Sequence, residues 1–422
     1  MQYVEIGAKR NGDLVGLRAD VVADMGAYPV AAFLPSVTHE MVCGQYAIPQ
    51  AAFRAKCVVT NATPVAPYRG ADRPEATALI ERAMDLLAAE LRMDPAEPRR
   101  RNFIPPEAFP YRTVTGQTYD SGEYERALDE ALRIADYDEL RREQTARRER
   151  GDTVQLGIGL STYAETTAIG GGREYGSVTV EPDGSVTVRT GISPHGQGHE
   201  TSLAQIASDA LEVPFERVRV LHSDTGEVPR GEGTWGSRWL QLGGLAVLGA
   251  CKKLRGEGGI FAEFDFSQSE PTNPFGAHVA VVEVDTETGQ VTLASLVAVN
   301  DAGRILNPAL FEGQVHGGIA QGVAQALFEE VTYDESGNPL NANLASYAVP
   351  GPADLPSFET ATTETPTDRN PLGVKGVGES GTIGAVPAVQ NAVVDAVSHL
   401  GVRHIDMPLT PERVLRAARE AR

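Results

Sequence analysis

The stretch SVTVEPDGSVTVRTGISPHGQGHETSLAQIASDAL, Ser177 to Leu211, decides the fold class. Val178 and Val180 alternate with polar residues, Pro182, Asp183 and Gly184 form a turn, and Val186 and Val188 resume the alternation. That pattern predicts a β-hairpin. A glycine-rich segment follows, and residues 199–211 then read as a helix. Working outward, 216–222 reads as a strand. Residues 279–284 and 291–299 pair across Glu287, Thr288 and Gly289, and 308–328 is helical despite Gly317 and Gly318. A further helix is expected over 387–400, opened by Pro387 and stopped by Gly401. Toward the N-terminus, 1–8 alternates through Tyr3, Val4 and Ile6, turns at Asn11, Gly12 and Asp13, and returns over 14–22. Asp72 as cap and Pro74 in the first turn open a helix with Leu79, Ile80, Ala83, Leu87 and Leu91 on one face. The proline-rich stretch 95–122 reads as irregular surface chain. Tyr124, Ala127, Leu128, Ala131, Leu132 and Ala135 mark another amphipathic helix, whose charged end, 141–150, reads as a solvated face or linker. Helices and hairpins are mixed, so the class is α+β, with a domain boundary near Gly151 that separates 1–150 from 151–422.

Composition narrows the function. The chain has 422 residues, 41% hydrophobic and 22% charged, the range of a globular protein of two or three domains. Asp and Glu outnumber Lys and Arg by 57 to 37, for a net charge of −20. That balance argues against nucleic-acid or anionic-membrane surfaces. Nothing at the start reads as a signal peptide, and no apolar run is long enough to span a membrane. An opening inside a strand suggests a fragment or split chain. The cysteines are Cys43, Cys57 and Cys251. They suit a reducing cytoplasm, and they fall short of the four ligands a common iron–sulfur cluster needs.

Five glycine-marked segments could carry chemistry. Gly196, Gln197 and Gly198 sit between a strand and a helix, where a large ligand can approach the backbone and the helix N-terminus can take a phosphate. An ordinary tight turn satisfies the same pattern. His195 and His199 are four apart, but no third metal ligand accompanies them. Gly376, Gly378 and Gly381 match the dinucleotide fingerprint literally, yet no strand precedes them and the expected helix starts only near Pro387. Glu379, fenced by these glycines, suits a carboxylate pressed against a cofactor and used as a general base. A solvated Glu on a flexible loop is the plain alternative. Gly233, Thr234, Trp235, Gly236, Ser237 and Arg238 combine backbone amides, hydroxyls and a guanidinium, which fit a phosphate or pterin edge or simply a polar turn. Arg69, just before a helix, is a candidate substrate cation or a surface ion-pair partner. Asn300, Asp301, Gly303 and Arg304, with Gln314, His316, Gly317 and Gly318, suggest close packing against a ligand or against a neighbouring helix. Taken together, the five segments are best explained by one large buried ligand with phosphate sites and a carboxylate at its reactive end.

In this order, GQGHET (196–201), GTWGSR (233–238), NDAGRILNP (300–308), GQVHGG (313–318) and GVKGVGESG (373–381) resemble the molybdenum-binding large subunit of the xanthine dehydrogenase, aldehyde oxidase and carbon monoxide dehydrogenase superfamily. The resemblance runs from RADVVADMGAY (18–28) to the C-terminal helix. It implies molybdopterin-binding domains of the aldehyde oxidase and xanthine dehydrogenase type. Residues 1–150 would be the remainder of the first such domain, and 151–422 the second. It implies a molybdenum–molybdopterin cofactor, in bacteria usually the cytosine dinucleotide form, with the metal held by the pterin dithiolene and not by protein ligands. The reaction implied is hydroxylation at carbon with oxygen from water, on an aldehyde or N-heterocycle. Carried over, Glu379 is the general base, Gln197 contacts the metal's oxo ligand or the pterin, and Arg69 orients substrate. Gly196, Gly198, His199, Glu200, Thr201, Thr234, Trp235, Gly236, Ser237, Arg238, Gln314, Lys375, Gly376 and Val377 would line the cofactor. Iron–sulfur and FAD centres would reside on partner subunits.

Three departures matter. The loop that carries a cysteine after Tyr-Arg in true carbon monoxide dehydrogenases has Gly70 here, which points away from copper–molybdenum chemistry. The N-terminal hammerhead-like domain and its glycine-Phe loop have no match, so a partner chain is expected to supply the missing N-terminal half. Between Lys253 and Glu270 the chain is shorter than its relatives. The alternatives are a non-catalytic, decayed molybdopterin-binding subunit and an NAD-dependent dehydrogenase built on Gly376 to Gly381.

Overall fold

A computed structural model describes residues 1–169 and 171–421. Position 422, the last of the expected second unit, lies outside the described residues. The N-terminal hairpin forms as its pattern predicts. Strand β1 (Gln2–Ala8) pairs antiparallel with β2 (Leu14–Asp24), and β3 (Ala51–Val58) joins β2 in parallel. Helices α1 (Leu34–Met41) and α2 (Arg73–Leu91) cover this sheet, with Leu14, Leu17, Ile80, Met84 and Leu87 in the shared core. Pro74 occupies the first turn of α2 as expected, but Asp72 does not cap it. Asp72 adopts a left-handed conformation, φ 68°, and its carboxylate accepts instead from Thr38 Oγ1 at 3.0 Å.

The stretch 95–122 is not irregular. It contains α3 (Ala96–Asn102) and a hairpin of β4 (Tyr111–Arg112) and β5 (Thr118–Tyr119). Polar pairing over long range, which leaves no periodicity, orders this segment. Arg99 is fully buried, with its Nε donating to Glu81 Oε2 at 2.9 Å and its Nη2 lying 2.8 Å from Asp85 Oδ1. Asn102 accepts from Leu14 N and donates to Gly12 O, each at 2.9 Å, tying α3 to the first hairpin.

Helix α4 (Tyr124–Ile134) buries the expected face, and α5 (Tyr137–Arg150) follows it. The charged end of α5 is no linker. Arg141 pairs with Asp395 at 3.0 Å, Arg147 with Glu283 at 2.8 Å, and Arg148 donates to Asp395 O at 2.7 Å.

After Gly151 come two four-stranded sheets. One is formed by β7 (Gly172–Val180), β8 (Val186–Thr190), β9 (Val218–Leu221) and β10 (Phe261–Gln268), ordered β10-β7-β8-β9. Helices α6 (His199–Leu211) and α7 (Leu245–Glu257) pack on it through Leu203, Ile206, Val247 and Leu254. The second sheet is central to the molecule: β6 (Val154–Ala164), β11 (Phe275–Asp285), β12 (Val291–Asp301) and β13 (Glu359–Thr363), ordered β13-β12-β11-β6. Its side chains alternate faces with period two. Leu156, Ile158, Val279 and Val281 share a core with α4 and α5. On the other face Ala280 and Val282 meet α9 (Ser380–Val397), and α8 (Pro308–Leu327) and α10 (Pro411–Glu420) complete the same core. Because α4 and α5 pack on β6 and β11, the chain on both sides of Gly151 shares one core.

Helix α9 starts at Ser380, not near Pro387, which lies inside the helix. Proline removes one bond of the helical ladder, but every residue of α9 except Asp395 is buried. That all-round burial outweighs the lost bond and erases any amphipathic stripe.

Candidate active site

A cavity of about 370 Å³ opens where the turn before α6, the 233–239 turn, α8 and the start of α9 converge. Glu379 forms part of its wall as the N-cap of α9, and its side chain is only 13% exposed. Its Oε1 accepts from Arg73 Nη2 at 2.5 Å and from Gly70 N at 3.2 Å, and its Oε2 accepts from Ser237 Oγ at 2.8 Å. This is the fenced carboxylate expected from sequence, but it is held rigidly and not on a flexible loop. Arg73 is fully buried, donates to Thr166 O at 2.8 Å, and has its Nε on Gly70 O. Behind it lies Glu165, also fully buried, with Oε2 accepting from Ser380 Oγ at 3.0 Å. Ala71, Asp72 and Ser237, three of the non-glycine residues with positive φ, belong to the loops around Glu379. Such strain persists where surrounding structure over-determines the backbone, often at functional sites.

Arg69 reaches the cavity, but protein acceptors occupy most of its guanidinium. It donates to Gly378 O at 2.5 Å, Gln321 Oε1 at 2.8 Å, and Gln314 O and Oε1 at 3.0 and 3.1 Å. It therefore clamps α8 to the Glu379 turn. Gln197 lines the cavity, and its Oε1 accepts from His195 N. Thr234, Trp235, Gly236, Ser237, Gln314, Lys375 and Val377 line it too. Lys375 does so without offering its charge, since its Nζ donates to Asn273 O at 3.1 Å and to Ser121 O at 3.3 Å within the core.

Other expected residues stand behind the wall. Arg238 is fully buried and pairs with Glu174 at 2.6 Å, so its guanidinium supports the turn. His199 is buried, stacks on Trp239 with centroids 4.1 Å apart, and shares a 3.0 Å hydrogen bond between Nε2 and Thr234 Oγ1. Burial holds its ring near pKa 4, hence neutral. Glu200 faces solvent and pairs with His222 at 2.8 Å. Thr201 is exposed. Gly376 has no room for a side chain, since a Cβ there would sit 2.5 Å from Ser237 Cβ. Gly198 is similarly closed, by Leu310 at 2.7 Å. Sequence reasoning missed Arg73 and Glu165 as partners of Glu379, along with Ser202, Trp239, Leu310 and Phe311 in the wall. Arg73 carried a faint signal, its place in the same short segment as Arg69.

The segment before Gly376 contributes only an isolated bridge, Gly303 with Val374, so no strand leads into the fingerprint-like glycines even though a helix follows them. A nucleotide-binding βαβ unit is not built there. A fixed carboxylate on the wall of a polar-rimmed cavity, with several glycine turns opening onto the same space, defines instead a protein that binds one extended cofactor. Comparison with known proteins makes this specific. The family described as molybdopterin cofactor-binding domain matches residues 1–103 and, in a second form, 130–267 and 257–356. The chain is 35% identical to the carbon monoxide dehydrogenase large chain of Hydrogenophaga pseudoflava, over 99% of this chain and 60% of that one. It is 31% identical to the nicotine 6-hydroxylase large subunit of Paenarthrobacter nicotinovorans, over 99% and 59%. Among solved structures, Cu,Mo-CO dehydrogenase superposes with a TM-score of 0.94 at 32% identity, over all of this chain and 62% of that one. Quinoline 2-oxidoreductase from Pseudomonas putida 86 gives 0.94 at 30%, over 99% and 62%. The chain belongs to the molybdopterin cofactor-binding domain family, within the molybdenum-binding large subunits of the xanthine dehydrogenase, aldehyde oxidase and carbon monoxide dehydrogenase superfamily. It spans about three fifths of the length of the relatives it matches.

The residues present fit such a cofactor. Gly196, Gly233 and Gly236 have φ of 103°, 77° and 55°, and a Cβ built on each meets nothing within 4 Å, so their open faces border free space. The Thr234 hydroxyl, the Gln197 and Gln314 amides and the N-terminus of α6 offer uncharged donors of the kind pterin edges and phosphates accept. The exposed Arg304 at the cavity has no ion-pair partner among the described residues and can take an anionic group.

Proposed function

We propose that this chain is the cofactor-binding part of a molybdenum hydroxylase large subunit, acting on an aldehyde or N-heterocycle with water as the oxygen source. The observation that carries the reading is Glu379, held at the cavity wall by Arg73, Gly70 N–H and Ser237. When bound, the molybdenum cofactor supplies the two-electron oxidation. The chain's own residues position and exchange a proton. Glu379 accepts it at the carboxylate, Arg73 and Ser237 hold that carboxylate in place, and Arg69 fixes the turn through Gly378 O. Gln197, Thr234 and Ser237 would contact the pterin, and Arg304 with the start of α6 its phosphates, in the cytosine dinucleotide form. Burial of the Arg238–Glu174 pair and of His199 behind the wall supports a preset cavity.

Gly70 bears on the substrate. Its φ is 110°, and a Cβ there would lie 2.5 Å from Pro74 Cγ, so this backbone leaves no room for a cysteine. That favours hydroxylation over copper-assisted oxidation of carbon monoxide. Electrons would leave to iron–sulfur and FAD partner subunits, and a further chain would supply the N-terminal region present in the relatives. All three cysteines are free thiols, as a cytoplasmic protein would have. No helix among the described residues is long and apolar enough to cross a membrane. Residues 1–150 and 151–422 would represent the two cofactor-binding units, joined through the common core.

The test is expression with the neighbouring chains, followed by metal analysis and an assay. Glu379→Gln should lower turnover by roughly 10²-fold or more while molybdenum content stays at the wild-type level. Protein that carries neither molybdenum nor pterin would establish the non-catalytic alternative. Tight NAD binding that survives Glu379→Gln would establish a dehydrogenase.

A further inference from the structure

We propose that Glu165 is a positioning residue that shares one proton with Glu379, and that this proton fixes the Glu379 carboxyl group against Arg73. The inference rests on the reading of Glu379 as the base. Glu165 lies just past β6, and its backbone is fixed on both sides. Its N–H donates to Pro274 O at 2.8 Å, and its carbonyl accepts from Asn273 Nδ2 at 3.1 Å. The side chain has no contact with solvent. Oε2 accepts from Ser380 Oγ, the first residue of α9 and the neighbour of Glu379. Oε1 is buried with no hydrogen-bond donor, and Arg73 Nη1 stands 3.9 Å away, already committed to Thr166 O. A buried polar atom left without a partner calls for an explanation. The two carboxyl groups face one guanidinium: Arg73 Nη2 lies 2.5 Å from Glu379 Oε1 and Nη1 lies 3.9 Å from Glu165 Oε1. Two carboxylates cannot hydrogen-bond unless one carries a proton, and like charges this close cannot both stay ionised.

The surrounding charges agree. Facing Glu165 are Arg73 from α2, Arg69 from the loop before it, Glu379 from the start of α9, and Tyr163 from its own strand. Tyr163 is neutral and donates to Asn300 Oδ1 at 2.6 Å. Burial pushes the Glu165 carboxyl well above the usual carboxylate range. Arg73 opposes that push, and Glu379 reinforces it. With the proton in place, Oε1 is satisfied and the Arg73 charge is left to Glu379. Without it, two anions compete for one guanidinium and Glu379 loses its fixed orientation. The expected signature is an alkaline limit on activity set by Glu165, a residue that touches neither cofactor nor substrate.

The test begins with infrared titration of the purified chain, which needs no turnover. Because burial also raises the Glu75 and Glu81 carboxyls, the readout is the wild-type minus Glu165→Gln difference spectrum, which should show a protonated carboxyl C=O stretch at neutral pH that titrates away at alkaline pH. A difference spectrum without that band overturns the proposal. In the loaded complex, Glu165→Gln supplies an amide donor in place of the proton, so kcat should no longer decline at alkaline pH. Glu165→Leu supplies none and should lower kcat by roughly 10²-fold. Equal losses in both variants with the alkaline limb unchanged would show a merely structural role and overturn the proposal. A chain that binds no molybdenum defeats the hydroxylase reading alone, because the infrared result still decides the shared proton.

Discussion

At the scale of single residues, the site is a set of interlocked donors around one carboxylate. Gly70 shows how tightly they are fitted. Its N–H points at Glu379 Oε1, its carbonyl receives Arg73 Nε, and its φ of 110° suits only glycine. Gly70→Ala should therefore cost about 1–3 kcal/mol of stability, by chemical denaturation, and should lower kcat more than it changes KM. Glu379 was legible in the sequence because glycines fence it. Arg73 was visible only as part of a helix start. Glu165 was not legible at all, since its contact with Ser380 joins residues 215 positions apart and depends on where β6 happens to end.

At the scale of elements, periodicity served where one face is buried and the other is wet. The helix expected over 199–211 is α6, and the hairpins around Gly12, Gly184 and Gly289 stand where turns were read. It failed in two physical situations. Helix α9 is buried on every side, so no apolar stripe marked its first turns and Pro387 was taken for its start. Helix α3 has a buried guanidinium where an apolar face would normally sit. Sequence could not reveal that Arg99 meets Glu81, because the partner lies on another helix. Arg99→Met should leave Glu81 buried without its counter-charge, a loss of about 3–5 kcal/mol. Urea unfolding of this variant measures it, and a change below about 1 kcal/mol would mean the pair behaves like a surface ion pair.

At the scale of the whole molecule, two buried histidines tie stability to pH. Burial holds both His199 and His278 near pKa 4, against an ordinary 6.5. The folded state keeps these rings neutral, while the unfolded chain protonates them below about 6.5. Their contribution is thus fully present above that pH and is lost as pH falls toward 4. A displacement of this size is worth roughly 3 kcal/mol per ring. Glu165 opposes it, so the clean measurement is a difference: the urea midpoint should fall less between pH 7 and pH 5 in His278→Gln than in the wild type.

The seating of α9 has one more consequence. Glu379 stands at the end of a helix that is itself the middle of the core, wedged so closely that a Cβ on Gly384 would meet the His278 ring at 2.6 Å. The base cannot shift without the core shifting with it. The cavity thus has one fixed jaw, set when the chain folds and not when a ligand arrives. Any tuning to differently shaped molecules falls to the opposite jaw, where Trp235 is half exposed and Phe311 and Leu310 project from the first turn of α8.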